Sequence, residues 1–230
     1  MPLILAIESS SHLGAIALVR VGDTSDQAFG EVARNDIKVS SWMLPAVQRV
    51  LTQARLRGED VDAIAFGAGP GSFSGVRTAC ATAQALAYAW QKPLIRVDSL
   101  EALAEASALS RVTIAIDARM QEIYVASFAR GDTGALDRLT QTSVCSPALL
   151  AVPNDMMVLG SGAHLVTHAL HAASREQTEH AESNWALGVA RVAARKLARG
   201  EITPASDAEP LYVRNNVAQT EAERAAAKEQ

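Results

Sequence analysis

Gly67-Ala68-Gly69-Pro70-Gly71-Ser72-Phe73-Ser74-Gly75-Val76-Arg77 stands between an apolar run, Asp62–Phe66, and a long alanine-rich run, Thr78–Trp90. Four glycines and a proline within nine residues thus join a strand-like segment to a helix-like one. Glycine reaches positive φ and leaves its amides uncovered. A helix N-terminus adds unpaired N–H groups and a positive dipole end. The combination invites a phosphate-cradle reading, and its details refuse one. The Walker form needs Lys-Ser/Thr after the last glycine, for the phosphates and for magnesium. Here Val76-Arg77 follows instead. The dinucleotide form fails too, because no ribose-binding acid follows at the end of a well-placed second strand.

Upstream of this loop, Leu3–Glu8 is a short apolar run ending in an acid and reads as a buried strand. Ala15–Arg20 and Ala28–Arg34 read as further strands, with a hairpin loop at Gly22–Asp26. Ser40–Leu56 has Leu44, Val47, Val50, Leu51 and Ala54 at helical spacing, with Ser40 or Ser41 as cap. Downstream come a strand, Leu94–Val97, and a helix capped by Asp98 or Ser99 and running to about Leu109.

The second half restarts this pattern. Val112–Asp117 is again an apolar run ending in an acid, and Ile123–Ala129 and Leu136–Val144 read as strands. Aligning Ala6-Ile7-Glu8 with Ala115-Ile116-Asp117 puts Ala15 and Tyr124 seven residues after each acid, opening the next strand. A unit appearing twice predicts a duplicated α/β fold of two lobes, 1–110 and 111–218. Met157–Gly160 reads as a strand, Gly162–Ala173 and Asn184–Ala198 as helices, and Ile202–Val213 as extended chain. The polar, Ala- and Glu-rich tail 219–230 is expected to be disordered.

Composition narrows the function classes. Hydrophobic residues make up 49% of the 230 and charged residues 20%, enough for a real core, while aromatics are only 4%. That core is therefore built from Ala, Val, Leu and Ile. A net charge of −4 argues against a free-standing nucleic-acid binder. No twenty-residue apolar span and no charged-then-apolar leader is present, so a cytoplasmic protein with no membrane contact is expected. Cys80 and Cys145 lack any paired spacing and read as reduced, buried thiols.

The chemistry-bearing candidates each have a plainer alternative. Glu8 and Asp117 end equivalent strands, and carboxylates facing across a cleft can hold a metal or work as acid and base. The loops after them, Ser9-Ser10-Ser11-His12 and Ala118-Arg119-Met120, lack the glycines that wrap phosphate, and Arg119 suits a structural ion pair with Asp117. His164, His168 and His171 fall at i, i+4 and i+7, a zinc-helix spacing without an acid between them. Ser72 and Ser74 miss the frame of a nucleophile elbow and suit helix capping. Arg191, Arg195 and Arg199 share one face, which reads more simply as solvated than as a phosphate-backbone contact.

The helix after the glycine loop carries the main functional signal. Ala79, Ala81, Ala83, Ala85, Ala87 and Ala89 put small side chains on every face. A helix apolar all round is covered on both sides. One side meets its own sheet, and the other requires an internal helix or a partner. Tyr88 and Trp90 near its end, and Trp42 in the preceding helix, supply the aromatic anchors of a helix-on-helix interface.

Four blocks carry a resemblance to a known family: Ile4-Leu5-Ala6-Ile7-Glu8-Ser9, Gly69–Arg77, Ala115–Tyr124 and Glu209–Val217. Through them the chain, to about Ala218, resembles the TsaB (YeaZ) family of tRNA threonylcarbamoyladenosine biosynthesis partners. The resemblance implies an actin/Hsp70-like ASKHA fold of two duplicated lobes. It also implies a non-catalytic subunit with no cofactor or metal of its own, ATP and metal being expected on partner proteins. In the family, TsaD transfers threonylcarbamoyl to adenosine 37 of tRNAs that read ANN codons. TsaB pairs with TsaD through first-lobe helices, the ATPase TsaE joins them, and members alone often form homodimers. Contact with tRNA is then expected only through the complex. Mapped onto this chain, the interface would involve Trp42, Val47, Leu51, Phe73, Arg77, Cys80, Ala83, Gln84, Ala87 and Tyr88. The alternative is an independent ASKHA-type ATP hydrolase or kinase using Glu8 and Asp117. Against it, the chain has Glu8-Ser9 where the family usually has Asp-Thr, and Val39 where many members have a histidine before the helix serine.

Overall fold

Strand β1, Leu3–Glu8, is the centre of the first sheet, and all six of its residues are buried. A strand covered on both faces reads as continuous apolar sequence rather than alternation, as Leu3–Ile7 does. In the computed structural model, which describes residues 1–22, 26–33, 37–131, 134–166 and 172–214, this sheet has five strands. β2 (Ala15–Arg20) pairs antiparallel with β1, and β3 (Gln27–Val32) pairs antiparallel with β2. On the other side β4 (Ala63–Gly67) and β5 (Leu94–Val97) add in parallel.

The second sheet repeats the arrangement around β6, Arg111–Arg119. β7 (Glu122–Arg130) pairs antiparallel with it on one side, and β10 (Met157–Leu159) pairs parallel on the other. β8 (Leu136–Arg138) and β9 (Ser143–Cys145) both pair with β7. The single strand expected over Leu136–Val144 is thus two short ones. Between them the Thr140 hydroxyl accepts the Ser127 N–H at 2.9 Å, replacing a backbone carbonyl and bending the chain.

Helices α1 (Val39–Ala54) and α2 (Phe73–Trp90) cover one face of the first sheet, burying Met43, Ala46, Val50, Ala79 and Ala83 against Leu5, Ile7, Ile64 and Phe66. The two sheets are joined by α3 (Ser99–Ser107) and α6 (Trp185–Ala198). α6, from the second half of the chain, packs on β1, β2, β4 and β5, while α3, from the first half, packs on β6, β7 and β8. Each half therefore supplies the helix that covers the other half's sheet. The crossing of α3 and α6 is close enough that a β-carbon at Gly188 would stand 2.0 Å from the Ala102 carbonyl oxygen. Asp98 starts α3 by accepting the N–H groups of Leu100 and Glu101.

The helix expected over Gly162–Ala173 is described only as α4, Ala163–Val166, with 167–171 outside the described residues. α5, Ala172–Ser183, has no counterpart in the sequence reading. Its run Ser174-Arg-Glu-Gln-Thr-Glu-His is polar almost throughout, so it offered no apolar periodicity. The tail 215–230 lies outside the described residues. Among those described, no helix is long and apolar enough to cross a membrane.

Candidate functional site

A cleft of about 570 Å³ opens where the loops after β1, β4, β6 and β10 converge, closed on one side by Leu211–Arg214. It lies at the carboxyl ends of parallel strands, where α/β folds place their ligands. The glycine loop forms one wall, and its geometry explains its glycines. A β-carbon at Gly71 would lie 2.2 Å from the Ser10 carbonyl oxygen, and one at Gly75 would lie 1.8 Å from that of Ser9. The loop after β1 is thus pressed onto the N-terminus of α2. Ser72 donates its N–H to the Ser10 carbonyl at 2.6 Å, and its hydroxyl accepts the Gly75 N–H. Ser9 Oγ donates to the Gly75 carbonyl at 2.8 Å. At this helix end the Ser72 N–H is thus given to a backbone carbonyl and the Gly75 N–H to the Ser72 hydroxyl.

The two expected carboxylates are not brought together at the cleft. Glu8 is 1% exposed and does not line it. Its Oε1 accepts the Ser10 N–H at 2.6 Å and its Oε2 accepts the Ser99 hydroxyl at 2.9 Å, while Ser99 Oγ accepts the Gly69 N–H. A β-carbon at Gly67 would collide with the Glu8 carboxyl at 1.8 Å, so that glycine makes the room. Burial pushes the Glu8 carboxyl above its ordinary range, against the pull of its hydrogen bonds. Asp117 does line the cleft, but it accepts the Arg119 N–H at 2.7 Å and pairs with the Arg119 guanidinium at 3.3 Å. This is the structural ion pair the sequence suggested.

The remaining candidates are also occupied or apart. Neither Ser72 nor Ser74 is hydrogen-bonded to a histidine among the described residues. His164 is exposed, and His168 and His171 lie outside the described residues. No cluster of three or more metal-ligating side chains occurs among those described. Arg191 pairs with Asp26 at 2.7 Å and Arg195 with Glu105 at 3.0 Å, so two of the three arginines on this partly solvated face are held in ion pairs. Both cysteines are free, and burial raises the thiol pKa of each.

The ten residues mapped to a partner surface divide sharply. Trp42, Val47, Leu51, Cys80, Ala83 and Ala87 are all at most 7% exposed and belong to the core beneath α1 and α2. Within this chain the faces they occupy meet its own sheet and C-terminal segment. Gln84 donates to the Ala205 carbonyl at 2.7 Å, and Cys80 Sγ lies 3.5 Å from the Ala208 carbonyl. The second cover expected over α2 is therefore partly internal, a segment bonded to β5 through Thr203 and to Ala68 through Leu211. Phe73, at 61%, and Tyr88, at 84%, are exposed, and Arg77 lies over the Phe73 ring. Leu44, Ala81, Ala85 and Ala89, which the sequence reading did not single out as contacts, share the exposed side of α1 and α2. Alanine at every second position gave the sequence no contrast from which to read which side was outward.

Comparison with known proteins gives a consistent set of relatives. The model of the TsaD family, described as tRNA N6-adenosine threonylcarbamoyltransferase, matches residues 31–222. The chain is 31% identical over 229 residues to the tRNA threonylcarbamoyladenosine biosynthesis protein TsaB of Escherichia coli K12, covering 94% of this chain and 96% of that one. Against the protein of the same name from Haemophilus influenzae, identity is 33% over 165 residues, 66% of this chain and 68% of that one. Among solved structures, YeaZ from Pseudomonas aeruginosa superposes with a TM-score of 0.71 at 30% identity, over 92% of this chain and all of that one. A P. aeruginosa protein described as similar to peptidase YEAZ gives 0.75 at 28%, over 93% of this chain and all of that one. With these neighbours, the two sheets of like topology make the fold ASKHA-like.

Proposed function

Because the chain belongs to the TsaB (YeaZ) family, we propose that it acts in tRNA threonylcarbamoyladenosine biosynthesis as a non-catalytic partner of a TsaD-type enzyme. The observation that carries this reading is the packed N-terminus of α2. The Ser10 carbonyl takes the Ser72 N–H, the Ser9 carbonyl is pressed against Gly75, and Glu8 is sealed beneath them. A chain whose first-strand loop is packed directly onto the start of α2 is suited to holding another protein's active arrangement.

In this reading the first lobe, residues 1–110, docks through the outward side of α1 and α2, with Leu44 and Tyr88 as anchors around Ala81 and Ala85. Small residues let a partner helix approach closely, and large exposed side chains at the margins add buried area. The second lobe, 111–218, braces the first. The partner carries ATP, metal and the transfer to adenosine 37 of ANN-reading tRNAs in the cytoplasm, TsaE joins the assembly, and the free chain pairs with itself through the same side. Docking raises activity by binding the active arrangement of TsaD more tightly than its inactive one.

The test is a drop-out assay with TsaD, TsaE, unmodified tRNA and threonylcarbamoyl-adenylate, with and without this chain. Product that requires the chain, with none from the chain alone, is the expected result. Equal product without it refutes the partner role, and product from the chain alone refutes its non-catalytic character.

A further inference from the structure

The cleft keeps three features that a passive partner does not need. Ser10 lines it and is 1% exposed, and its Oγ reaches toward the Glu8 carboxyl without completing a well-formed hydrogen bond. A buried hydroxyl left unpaired is uncommon and costs stability, which a ligand atom would restore. Phe73 and Tyr212 line the same cleft while remaining 61% and 49% exposed. The Arg77 guanidinium lies 3.4 Å from the Phe73 ring centre and 5.2 Å from that of Tyr212, making a ladder of flat groups along one rim. Arg119 also lines the cleft and is 86% exposed in its side chain, on a turn where Arg119, Met120 and Gln121 all take positive φ, at 62°, 55° and 60°. None of the three is glycine, so this backbone is strained and presents Arg119 at the mouth. Its pairing with Asp117 is open to solvent and weak.

We infer that the cleft binds one unpaired nucleotide of an RNA strand, its base stacked on Phe73 or Tyr212, a polar atom on Ser10 Oγ and its phosphate on Arg119. Aromatic and guanidinium planes beside hydroxyls are the chemistry by which proteins take unstacked bases, because every base has a π-face. A polyphosphate tail is poorly served here, since Val76-Arg77 stands where a phosphate loop carries Lys-Ser/Thr for the phosphates and magnesium. The net charge of −4 leaves no attractive long-range field, so binding is local. Its salt dependence is shallow, with a log–log slope of about −0.7 per phosphate engaged. Phe73 and Arg77 continue the exposed row of α2 that holds Ala81 and Ala85, so the site adjoins the docking side, and Tyr212 and Ser10, off that helix, separate the two in the test.

The experiment is fluorescence anisotropy of a short, unstructured, labelled RNA with the full chain, repeated with Phe73→Ala, Tyr212→Ala, Ser10→Ala and, as a control outside the cleft, Leu139→Ala. Thermal melts accompany each variant. Binding is expected to weaken about 5- to 100-fold on loss of either ring, the range of one lost base–aromatic stack. Ser10→Ala is expected to weaken binding while shifting the melting temperature little, because its hydroxyl completes no well-formed hydrogen bond within the fold. Leu139→Ala is expected to change neither. AMP and Mg-ATP are expected to compete equally. The proposal is overturned if no RNA binds, if AMP binds while RNA does not, or if duplex RNA binds as well as single strands. Indifference to Phe73 and Tyr212, or Mg-ATP binding far more tightly than AMP, overturns it too. So does a cleft that captures TsaD or TsaE through Tyr212 without binding RNA. A chain that activates TsaD yet binds no RNA removes this site and leaves the partner reading standing.

Discussion

Gly75 at the start of α2 and Ser9 at the end of β1 are in direct backbone contact: a β-carbon on Gly75 would stand 1.8 Å from the Ser9 carbonyl oxygen, and Ser9 Oγ donates to the Gly75 carbonyl at 2.8 Å. The first turn of α2 is thereby locked onto the central strand. Gly75→Ala is expected to cost about 3 kcal/mol or prevent folding, because backbone must separate from backbone. Urea unfolding of the variant measures it, and an unchanged midpoint would contradict the contact.

Neighbouring positions on α2 are expected to behave in opposite ways. Ala83 is fully buried, so Ala83→Glu places a charge in the core and costs on the order of 3–5 kcal/mol. Ala85 is exposed, so Ala85→Arg is expected to leave the melt within about 0.5 kcal/mol of the parent while weakening association with TsaD at least about ten-fold. Thermal melts and a pull-down or titration separate the two effects. Normal TsaD binding by Ala85→Arg would displace the docking side elsewhere.

Glu182 gives stability a pH dependence. It is 7% exposed, its Oε1 has no partner, and burial, reinforced by the charge of Glu179, pushes its pKa from 4.5 to about 7. A carboxyl whose pKa is raised on folding contributes fully below its unfolded pKa and loses that contribution as pH rises through the folded value. Between pH 4.5 and about 7 the wild type should therefore lose on the order of 2–3 kcal/mol relative to Glu182→Gln. Burial raises Glu8 and Glu101 as well, with the same sign, so the difference between parent and variant isolates Glu182. Parallel stability curves from pH 5 to 8 would refute this.

Glu105 of α3 holds the two halves of the chain together through arginines on two other elements. It is 5% exposed and meets Arg130 of β7 at 3.3 Å and Arg195 of α6 at 3.0 Å. Glu105→Gln leaves both guanidinium groups uncompensated and is expected to cost about 1–3 kcal/mol. The lower part of that range applies because Arg195 is partly solvated. Chemical denaturation reads the loss. A variant as stable as the parent would show the pair contributes nothing net.

Much of the first sheet was legible in the sequence because its strands are short apolar runs set off by glycine, proline and polar turns. Leu3–Glu8, Ala15–Arg20 and Leu94–Val97 are found where the pattern put them, and the glycine segment joins β4 to α2 as read, with the helix beginning inside it at Phe73. The second half was less legible. Thr140 imitates a backbone acceptor and splits one expected strand into two, and α5 has too few apolar residues to announce itself. The site was legible in residue types and not in contacts. Asp117 with Arg119 could be anticipated from adjacency, whereas Gln84 with Ala205 could not, being 121 positions apart.

Residue order alone is enough for the alternation of elements, the repeated acid-ended strand, and the failure of the glycine loop to match any nucleotide motif. Each of these depends on near neighbours, where side-chain spacing and backbone preference act directly. Only the tertiary structure decided what occupies the N-terminus of α2, which side of that helix faces out, and that Phe73, Arg77 and Tyr212 share one rim. Those outcomes depend on where the loop after β1 and the segment Ile202–Arg214 return, and no local preference fixes a contact whose partners are brought together by closing the whole chain.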